Sequence, residues 1–315
     1  MFRTLPLAAP LLALLLVLPQ TRPAAAASAY AGEFLALGGG ARAMALGNAY
    51  VAVVDDATAG YWNAAALADF EGRQLHLSHA ELYSGLVQHD YVAFARQGKR
   101  FDGLGISLVR VGVEDIKFTE LENPAGGIGP DNRPLVASTE TSSDYALYLS
   151  AGHRLSAKLA VGASLKTIYR TVGPFSAYGA GLDLGLRYLV AHGLTLAAAL
   201  RDVTTTPIVW DNSTDSIRPS ALVGLAITRP VGAGAATIGF ASRAGGDATD
   251  EAGDEPLNAG IEYRYKTLAL RAGFQESRQT LGLGITSHER LELDLAYLQH
   301  EELESTYRFS AGFRF

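Results

Sequence analysis

The sequence predicts an all-β protein, a transmembrane antiparallel β-barrel of about 14 strands that encloses a small N-terminal plug. The strongest indication is the stretch 306–315, in which apolar and polar residues alternate with the period of a strand. Its apolar face carries Tyr307, Phe309, Ala311, Phe313 and Phe315. In water this face would promote aggregation, whereas in a bilayer it faces lipid and pairing with the first strand removes the open edge. The number of similar strands and the gaps between them are the second and third indications.

Alternating apolar rows recur along most of the chain. The clear rows are residues 145–151, 159–165, 182–190, 194–200, 221–227, 257–265, 268–274, 281–285 and 291–297. Weaker candidates are residues 74–82, 88–97, 103–111 and 234–243. With the final strand the total is about fourteen, and single-chain bacterial outer-membrane barrels have an even number of strands. We therefore assign residues 73–315 to the barrel.

Gap lengths between the rows alternate along the chain. Short gaps lie near residues 98–102, 154–156, 191–193, 230–233, 266–267 and 287–290. The gaps between them are longer, at 112–140, 170–177, 203–216, 243–256 and 300–305, with weaker cases near 83–87 and 275–279. Outer-membrane barrels have short periplasmic turns and long outer loops. We therefore expect both chain ends on the periplasmic side.

The face opposite the apolar rows indicates which way the barrel is turned. In a soluble lipocalin-like barrel the apolar rows fill the inside and the other face is solvated. Here the other face is rich in small residues, among them Gly162, Gly185, Gly224, Gly260 and Gly282. Small residues suit a lumen into which another part of the chain packs. The apolar rows are therefore predicted to face membrane lipid.

Residues 1–29 have the pattern of a secretory signal peptide. Arg3 precedes an apolar run at 11–18, Pro19 ends the run, and small residues permit cleavage after Ala27 or Ala29. The run is too short for a membrane-spanning helix, which needs about 20 residues. Export together with the barrel pattern predicts the bacterial outer membrane as the location.

Composition excludes several other classes of protein. The chain has 315 residues, no cysteine and a net charge of −6. The lack of cysteine excludes a disulfide scaffold and a thiolate metal site. The acidic balance argues against nucleic acid as a partner, because phosphate binding needs a concentrated basic surface. No cofactor is expected.

Charged residues on the predicted lumen face cluster in particular strands. They are Asp183, Arg187, Glu262, Arg264, Arg271, Glu292, Asp294, Arg308 and Arg314. Acids and bases alternate between neighbouring strands, so they are expected to pair and hold the barrel wall. Charge in a low-dielectric lumen is costly unless it is paired, which favours this structural role. The alternative is a constriction or a strip that contacts cargo.

Residues 30–72 precede the barrel, lack strand alternation and are rich in small residues, which favours a plug in the barrel mouth. The glycines at 38–40 do not have the spacing of a nucleotide-binding loop. The most distinctive positions are Gly40, Arg42, Gly47, Asp55, Asp56, Trp62 and Asn63.

In the runs 40–52, 55–57 and 61–63 the chain resembles the PorV/PorQ family of outer-membrane proteins, relatives of the FadL long-chain fatty-acid transporters. It departs from the family pattern at Ala64, where the family has proline, and at Ala66, where it has glycine. The resemblance implies a barrel of roughly fourteen strands with an N-terminal plug. It also implies transport or type IX-like protein secretion, with secretion subunits or exported proteins as partners. FadL-type uptake of long-chain fatty acids or other hydrophobic small molecules is the alternative.

An enzymatic site is the weakest hypothesis. His76, His79 and His89 lie near one another in sequence, and His76 shares a strand face with Ser78, as an acyl hydrolase or metal site would require. No third group is visible, and a hydrolase needs its parts on one surface. The acidic stretch 247–255 is expected to be a soluble outer loop, with Ca²⁺ binding as the alternative, and residues 210–215 to be a loop tip. We expect a protein that is not an enzyme.

Overall fold

The computed structural model describes residues 31–246, 257–288, 290–300 and 304–315. The predicted signal peptide and the acidic stretch 247–255 lie outside these residues. Within them, no helix combines the length and the apolar character that crossing a bilayer would take.

The described residues form a closed antiparallel barrel of 14 strands, as predicted. The strands of the chain are β1 (Arg73–Leu82), β2 (Val87–Gln97), β3 (Gly103–Leu121), β4 (Pro134–Arg154), β5 (Leu159–Val172), β6 (Phe175–Ala191), β7 (Leu194–Arg201), β8 (Thr206–Trp210), β9 (Thr214–Ile217), β10 (Ser220–Val231), β11 (Gly234–Gly245), β12 (Leu257–Tyr265), β13 (Leu268–Gln275), β14 (Arg278–Ser287), β15 (Leu291–Leu298) and β16 (Thr306–Arg314). Neighbours in sequence pair along the wall, β10 pairs with β7, and β16 pairs with β1 to close it. We call the end where β1 begins the proximal mouth and the other end the distal mouth.

The structure differs from the prediction at the distal mouth, where several predicted loops are strands. β3 and β4 continue through most of the predicted gap 112–140, and only two residues separate the end of β5 from the start of β6. The hairpin of β8 and β9 lies in the predicted gap 203–216 and pairs with the first half of β6. These stretches lack an apolar row because they extend past the apolar zone of the wall, so the lipid-facing pattern could not reveal them.

The large apolar side chains of the wall face outward. Leu270, Leu281 and Phe309 expose 60%, 57% and 58% of their surface. The residues that alternate with these side chains along each strand are buried, for example Thr280 next to Leu281 and Arg308 next to Phe309. An exposed apolar band on a closed barrel suits contact with acyl chains rather than with water.

The inside of the barrel is occupied by the N-terminal segment, residues 31–72. It contains 3-10 helices over Glu33–Ala36 and Ala64–Asp69, and the short helices α1 (Ala41–Ala45) and α2 (Ala59–Trp62). Nearly all of its side chains between residues 38 and 68 are buried.

The small residues of the wall are the places where the N-terminal segment comes closest. A Cβ atom on Gly162 would lie 2.2 Å from the carbonyl carbon of Ala64, and one on Gly260 would lie 2.4 Å from the carbonyl oxygen of Leu46. These separations are too short for any side chain. The segment and the inner face of the wall therefore form one core.

We predict that Gly162→Val loosens the N-terminal segment, because its Cβ atom would overlap backbone atoms that cannot rotate away. Overpacking of this kind costs about 1–3 kcal/mol. Proteolysis of the folded, detergent-solubilised barrel measures it as faster cleavage within residues 31–72. Gly129→Val is the control, since a Cβ atom there meets nothing within 4 Å. Equal cleavage of the two variants would contradict the packing described above.

Candidate functional site

Arg42 is the centre of a buried ion-pair network between the N-terminal segment and the wall. Helix α1 places its guanidinium against Glu262 of β12, to which Nε and Nη2 donate at 2.9 and 3.0 Å. Its Nη1 donates to the hydroxyl of Tyr50 at 3.0 Å and to the carboxylate of Asp55. Bidentate pairing of this kind fixes the position of the guanidinium as well as balancing its charge.

Asp56 links the same network to the turn before α2. The hydroxyl of Tyr50 donates to its Oδ2 at 2.6 Å, and the backbone amide of Thr58 donates to its Oδ1 at 2.8 Å. Burial opposes ionisation of Asp56, but electrostatic attraction to His76 and Arg42 and the donors from Thr58 and Tyr50 outweigh burial and hold its pKa below the usual value. Burial raises the pKa of the Tyr50 hydroxyl, so it remains a donor.

Five of the predicted lumen charges extend this network along the wall. Arg271 and Glu262 are register partners in β13 and β12, and their Nε and Oε2 atoms are 2.6 Å apart. Arg271 also donates to Asp294 at 2.6 Å, across a gap that Gly284 leaves open. Glu262 accepts from Arg264 at 2.8 Å. Glu292 lies 3.6 Å from Arg264 and 3.8 Å from Arg271.

The remaining predicted lumen charges lie elsewhere. Asp183 is 3.2 Å from the Nζ atom of Lys166, which also pairs with Asp202 at 2.7 Å. Arg187 donates to the carbonyl of Val54 at 3.3 Å. Arg314 is exposed near the proximal mouth, where it forms no ion pair with any described residue.

The other motif residues hold the N-terminal segment in shape. The indole of Trp62 donates to the carbonyl of Gly39 at 2.9 Å. Asn63 accepts from the amide of Ala65 at 3.1 Å and donates to the carbonyl of Leu186 at 3.1 Å. This turn therefore forms although alanine stands at position 64.

Gly40 and Gly47 have φ angles of 89° and 61°, which favour glycine. A Cβ atom on Gly47 would also lie 2.3 Å from the carbonyl oxygen of Phe274 in the wall. Both positions therefore have a backbone reason for glycine, and Gly47 has a packing reason as well.

A cavity of about 280 Å³ lies at the distal mouth, above the N-terminal segment. Its apolar lining includes Leu37, Met44, Tyr61, Trp62, Leu82, Leu222 and Leu298. Four arginines from different strands also line it, Arg201, Arg243, Arg278 and Arg308. The cavity is therefore amphipathic, because apolar side chains and arginine side chains both line it.

Arg278 pairs with Glu276 at 3.0 Å, whereas the other three cavity arginines are held without direct ion pairs to described residues. Arg308 is 1% exposed and donates to the carbonyls of Leu37 and Gly38 at 3.0 and 3.2 Å. The guanidinium of Arg201 lies 4.9 Å from the ring centroid of Tyr61. Within the described part of the chain, no carboxylate lies within 4 Å of these two groups or of Arg243. The nearest acids that line the cavity are Glu33 and Glu276.

The sequence analysis singled out Arg308 but missed Arg201 and Arg243. Both lie near strand ends at the distal mouth, Arg201 one residue past an apolar row and Arg243 at the last position of a weaker one. Their alternation with outward-facing neighbours was the available signal. That signal gives the face of a residue, but not whether an opposite charge reaches it.

The suggested histidine sites do not assemble. His76 and Ser78 both face inward, but no hydrogen bond joins them, and Ser78 has no hydrogen-bond partner among the described residues. His79 points outward and pairs with Asp90 at 2.7 Å, away from His76. In the ranges that the structure describes, no group of three or more His, Asp or Glu residues is placed to hold a metal ion.

Comparison with solved structures shows what the fold resembles. The CymD monoaromatic hydrocarbon channel is 14% identical, with a TM-score of 0.60 over 89% of this chain and 98% of CymD. The toluene transporter TbuX of Ralstonia pickettii is 15% identical, with a TM-score of 0.57 over 88% and 98%. A FadL homologue of Pseudomonas aeruginosa is 11% identical, with a TM-score of 0.50 over 85% and 96%.

No protein-family model matches the chain, and no curated protein matches it. The structural likeness supports the FadL-like part of the predicted resemblance at the level of fold. The narrower PorV/PorQ assignment is not shown by it.

We predict that Arg42→Met releases the N-terminal segment, because Glu262 and Asp55 lose their shared partner inside the barrel. Breaking a buried pair by removing one partner costs about 3–5 kcal/mol. Hydrogen exchange of amides in residues 31–72 measures the lost protection. Arg154→Met is the matched control, since its pair with Asp69 ties the same segment but is exposed and such pairs contribute about 0–1 kcal/mol. Similar losses in both variants would argue against Arg42 as the centre.

We also predict that acid weakens the anchoring through Asp56. Because its pKa is lowered in the folded chain, its contribution is full above the unfolded value of about 3.9 and is lost as pH falls towards the folded pKa. Exchange protection of residues 31–72, corrected for intrinsic rates, should therefore fall below about pH 4. In the variant Asp56→Asn, we expect residues 31–72 to be less protected already at neutral pH, and the fall in protection on acidification to be smaller. An unchanged pH profile in this variant would contradict the assignment.

Proposed function

We propose that this protein is an outer-membrane channel for uptake of a hydrophobic small molecule that carries an anionic head, such as a long-chain fatty acid. The observation that supports this most is the distal cavity, in which apolar and aromatic side chains lie beside Arg201, Arg243 and Arg308. Buried or half-buried cations that have no carboxylate partner favour an anion. The outward apolar rows support a membrane location for such a channel, and the barrel form favours the outer membrane.

The sequence also suggested a PorV-like role in protein secretion, with secretion subunits or exported proteins as partners. The interior argues for uptake instead. The N-terminal segment fills most of it, and the distal cavity of about 280 Å³ suits a small molecule rather than a polypeptide. The hydrocarbon channels with the same fold point in the same direction.

We propose further that the N-terminal segment acts as the plug of this channel and that the protein is not an enzyme. The segment separates the distal cavity from the proximal mouth, so a ligand cannot cross unless part of the segment moves. Arg42 and Glu262 would hold it closed through their buried pair. The lumen charges around Glu262 then have a structural role and do not contact the ligand.

We predict that palmitate binds the purified protein and that Arg201→Met and Arg243→Met weaken it. A hydrogen bond to a charged group contributes about 1.5–3 kcal/mol, so each change should weaken binding about tenfold or more. Titration of palmitate into detergent-solubilised protein measures the Kd. Toluene, which has no charge, should bind both variants as it binds the unaltered chain.

Arg229→Met is the matched control for this experiment. Its guanidinium donates to the carbonyl of His192 at the proximal mouth, far from the cavity. Palmitate binding that is equally weak in all three variants would contradict an anion site at Arg201 and Arg243. Co-purification of exported proteins with a chain that binds no palmitate would favour the secretion role.

A further inference from the structure

Two arginines lie side by side on the outer surface of the wall at the proximal mouth. Arg73 is the first residue of β1, Arg96 is the last but one of β2, and the two are register partners. Both are exposed, and each is two residues away from an outward-facing apolar side chain of its own strand, Leu75 or Phe94. Opposed side chains in an antiparallel pair have Cβ atoms about 4.5–5.5 Å apart. Two positive charges are therefore held together at one end of the apolar band.

No described residue neutralises these two guanidinium groups. Within the part of the chain that the structure describes, neither side chain forms a hydrogen bond, an ion pair or a ring contact. Asp69, an acid that precedes β1, pairs with Arg154 and Arg187. Glu71 is exposed and forms no ion pair with a described residue. Like charges directly opposite each other destabilise a strand pair, so the arrangement costs stability unless an anion from outside the chain lies between them.

Apolar side chains border the arginine pair on both sides. Phe94 and Phe315 stack with their ring centroids 6.3 Å apart, and the amide of Phe315 donates to the carbonyl of Arg73 at 3.0 Å. On the other side, the register partner of Arg96 in β3 is Leu104. Aromatic side chains form girdles where the wall of a membrane barrel meets the lipid head groups. An anion bound by the two arginines would therefore have apolar surface directly beside it.

An outward-facing arginine elsewhere on the same rim is different. Arg229 of β10 is also exposed, but its guanidinium donates to the carbonyls of His192 and Thr228 at 2.7 and 3.0 Å. Its register partner in β11 is Ala236, so no like charge opposes it. The pairing of two guanidinium groups without a partner is therefore a property of β1 and β2 and not of every outward arginine at the proximal mouth.

We propose that Arg73 and Arg96 form a binding site for the phosphate of an anionic phospholipid in the leaflet at the proximal mouth. Guanidinium groups match the oxygens of a phosphate, and one phosphate can accept hydrogen bonds from both arginines. The acyl chains of the lipid lie on the apolar surface that begins with Phe94 and Phe315. A lipid with a net negative charge is favoured because two cations attract it and no acid repels it. The site rests on the proposed membrane location and not on the ligand of the distal cavity.

Titration of dioleoyl phosphatidylglycerol into the protein in a neutral detergent tests this site, with native mass spectrometry to measure the Kd. Arg73→Gln and Arg96→Gln should each weaken binding about tenfold, because each removes hydrogen bonds to a charged group. Arg229→Gln is the matched control and should bind the lipid as the unaltered chain does, since its guanidinium is engaged by backbone carbonyls. Binding that is unchanged in the first two variants, or equally weak in all three, would overturn the proposal.

Inorganic phosphate distinguishes a lipid site from a site for free anions. It should not displace phosphatidylglycerol from the protein, because it has no acyl chains to contact the apolar surface beside the arginines. Displacement of the lipid by inorganic phosphate would assign a free-anion site and would overturn the assignment to a phospholipid.

Thermal unfolding separates a lipid site from a structural role of the arginines. In neutral detergent alone, Arg96→Gln should unfold at the same temperature as the unaltered chain or higher, because a like-charge pair has been removed. With phosphatidylglycerol, the midpoint of the unaltered chain should rise by about 2–4 °C, and that of the variant by less than half as much. An equal loss of stability in both conditions would assign Arg96 a structural role and overturn the proposal.

The same samples keep this site apart from the uptake function. A protein that binds palmitate but does not respond to phosphatidylglycerol would retain the uptake function and lose the lipid site. A protein that responds to phosphatidylglycerol but binds no palmitate would retain the lipid site and lose the uptake function.

Discussion

The outward direction of the large apolar side chains is the constraint on which the rest of this structure depends. Because Leu281 and Phe309 face lipid, they cannot fill the barrel. The inner face carries mainly small residues, and a wall of fourteen strands encloses more space than such side chains occupy. The N-terminal segment has to supply the core, and the glycines of the wall let its backbone approach within contact distance. The wall and the segment are therefore parts of one folding unit.

Burial by itself does not explain the charges inside this barrel. Replacing buried ion pairs by apolar residues of similar size is often neutral or stabilising, so such pairs are weak contributors to stability. The pairs of Arg42 with Glu262 and of Arg271 with Asp294 instead fix where the segment sits and how β12, β13 and β15 are joined. Arg201, Arg243 and Arg308 of the distal cavity have no carboxylate partner among the described residues and are not part of this network, which separates the structural charges from those available to a ligand.

The fold was predictable from the sequence because a lipid-facing wall imposes a period of two on every strand. That period identified all fourteen wall strands and the inward direction of residues such as Glu262 and Arg308. It could not identify β8 and β9, or the extensions of β3 and β4, because those stretches lie past the apolar zone. Nor could it identify the cavity, because Arg201 and Arg243 are distinguished by having no carboxylate within 4 Å among the described residues, and periodicity does not show this. Periodicity fixes the face of a side chain, whereas pairing depends on neighbours across the barrel.

The segment is not held equally on all sides, and this decides where it would separate from the wall. On the side of β12 to β15, separation has to break the charged pairs of Arg42, each worth about 3–5 kcal/mol when one partner is left buried. On the side of β1 and β16 the links are hydrogen bonds. The amides of Ala57 and Ala41 donate to Gln74 and Ser310, and such bonds contribute about 0.5–1.5 kcal/mol each. Arg308 donates to the carbonyls of Leu37 and Gly38, and bonds to a charged group contribute about 1.5–3 kcal/mol each. Separation on the side of β1 and β16 is therefore less costly than separation beside Arg42. The same side carries Gln74, His76 and Ser78, each of which has a buried polar atom without a hydrogen-bond partner among the described residues, so water that enters there would replace the bonds that break.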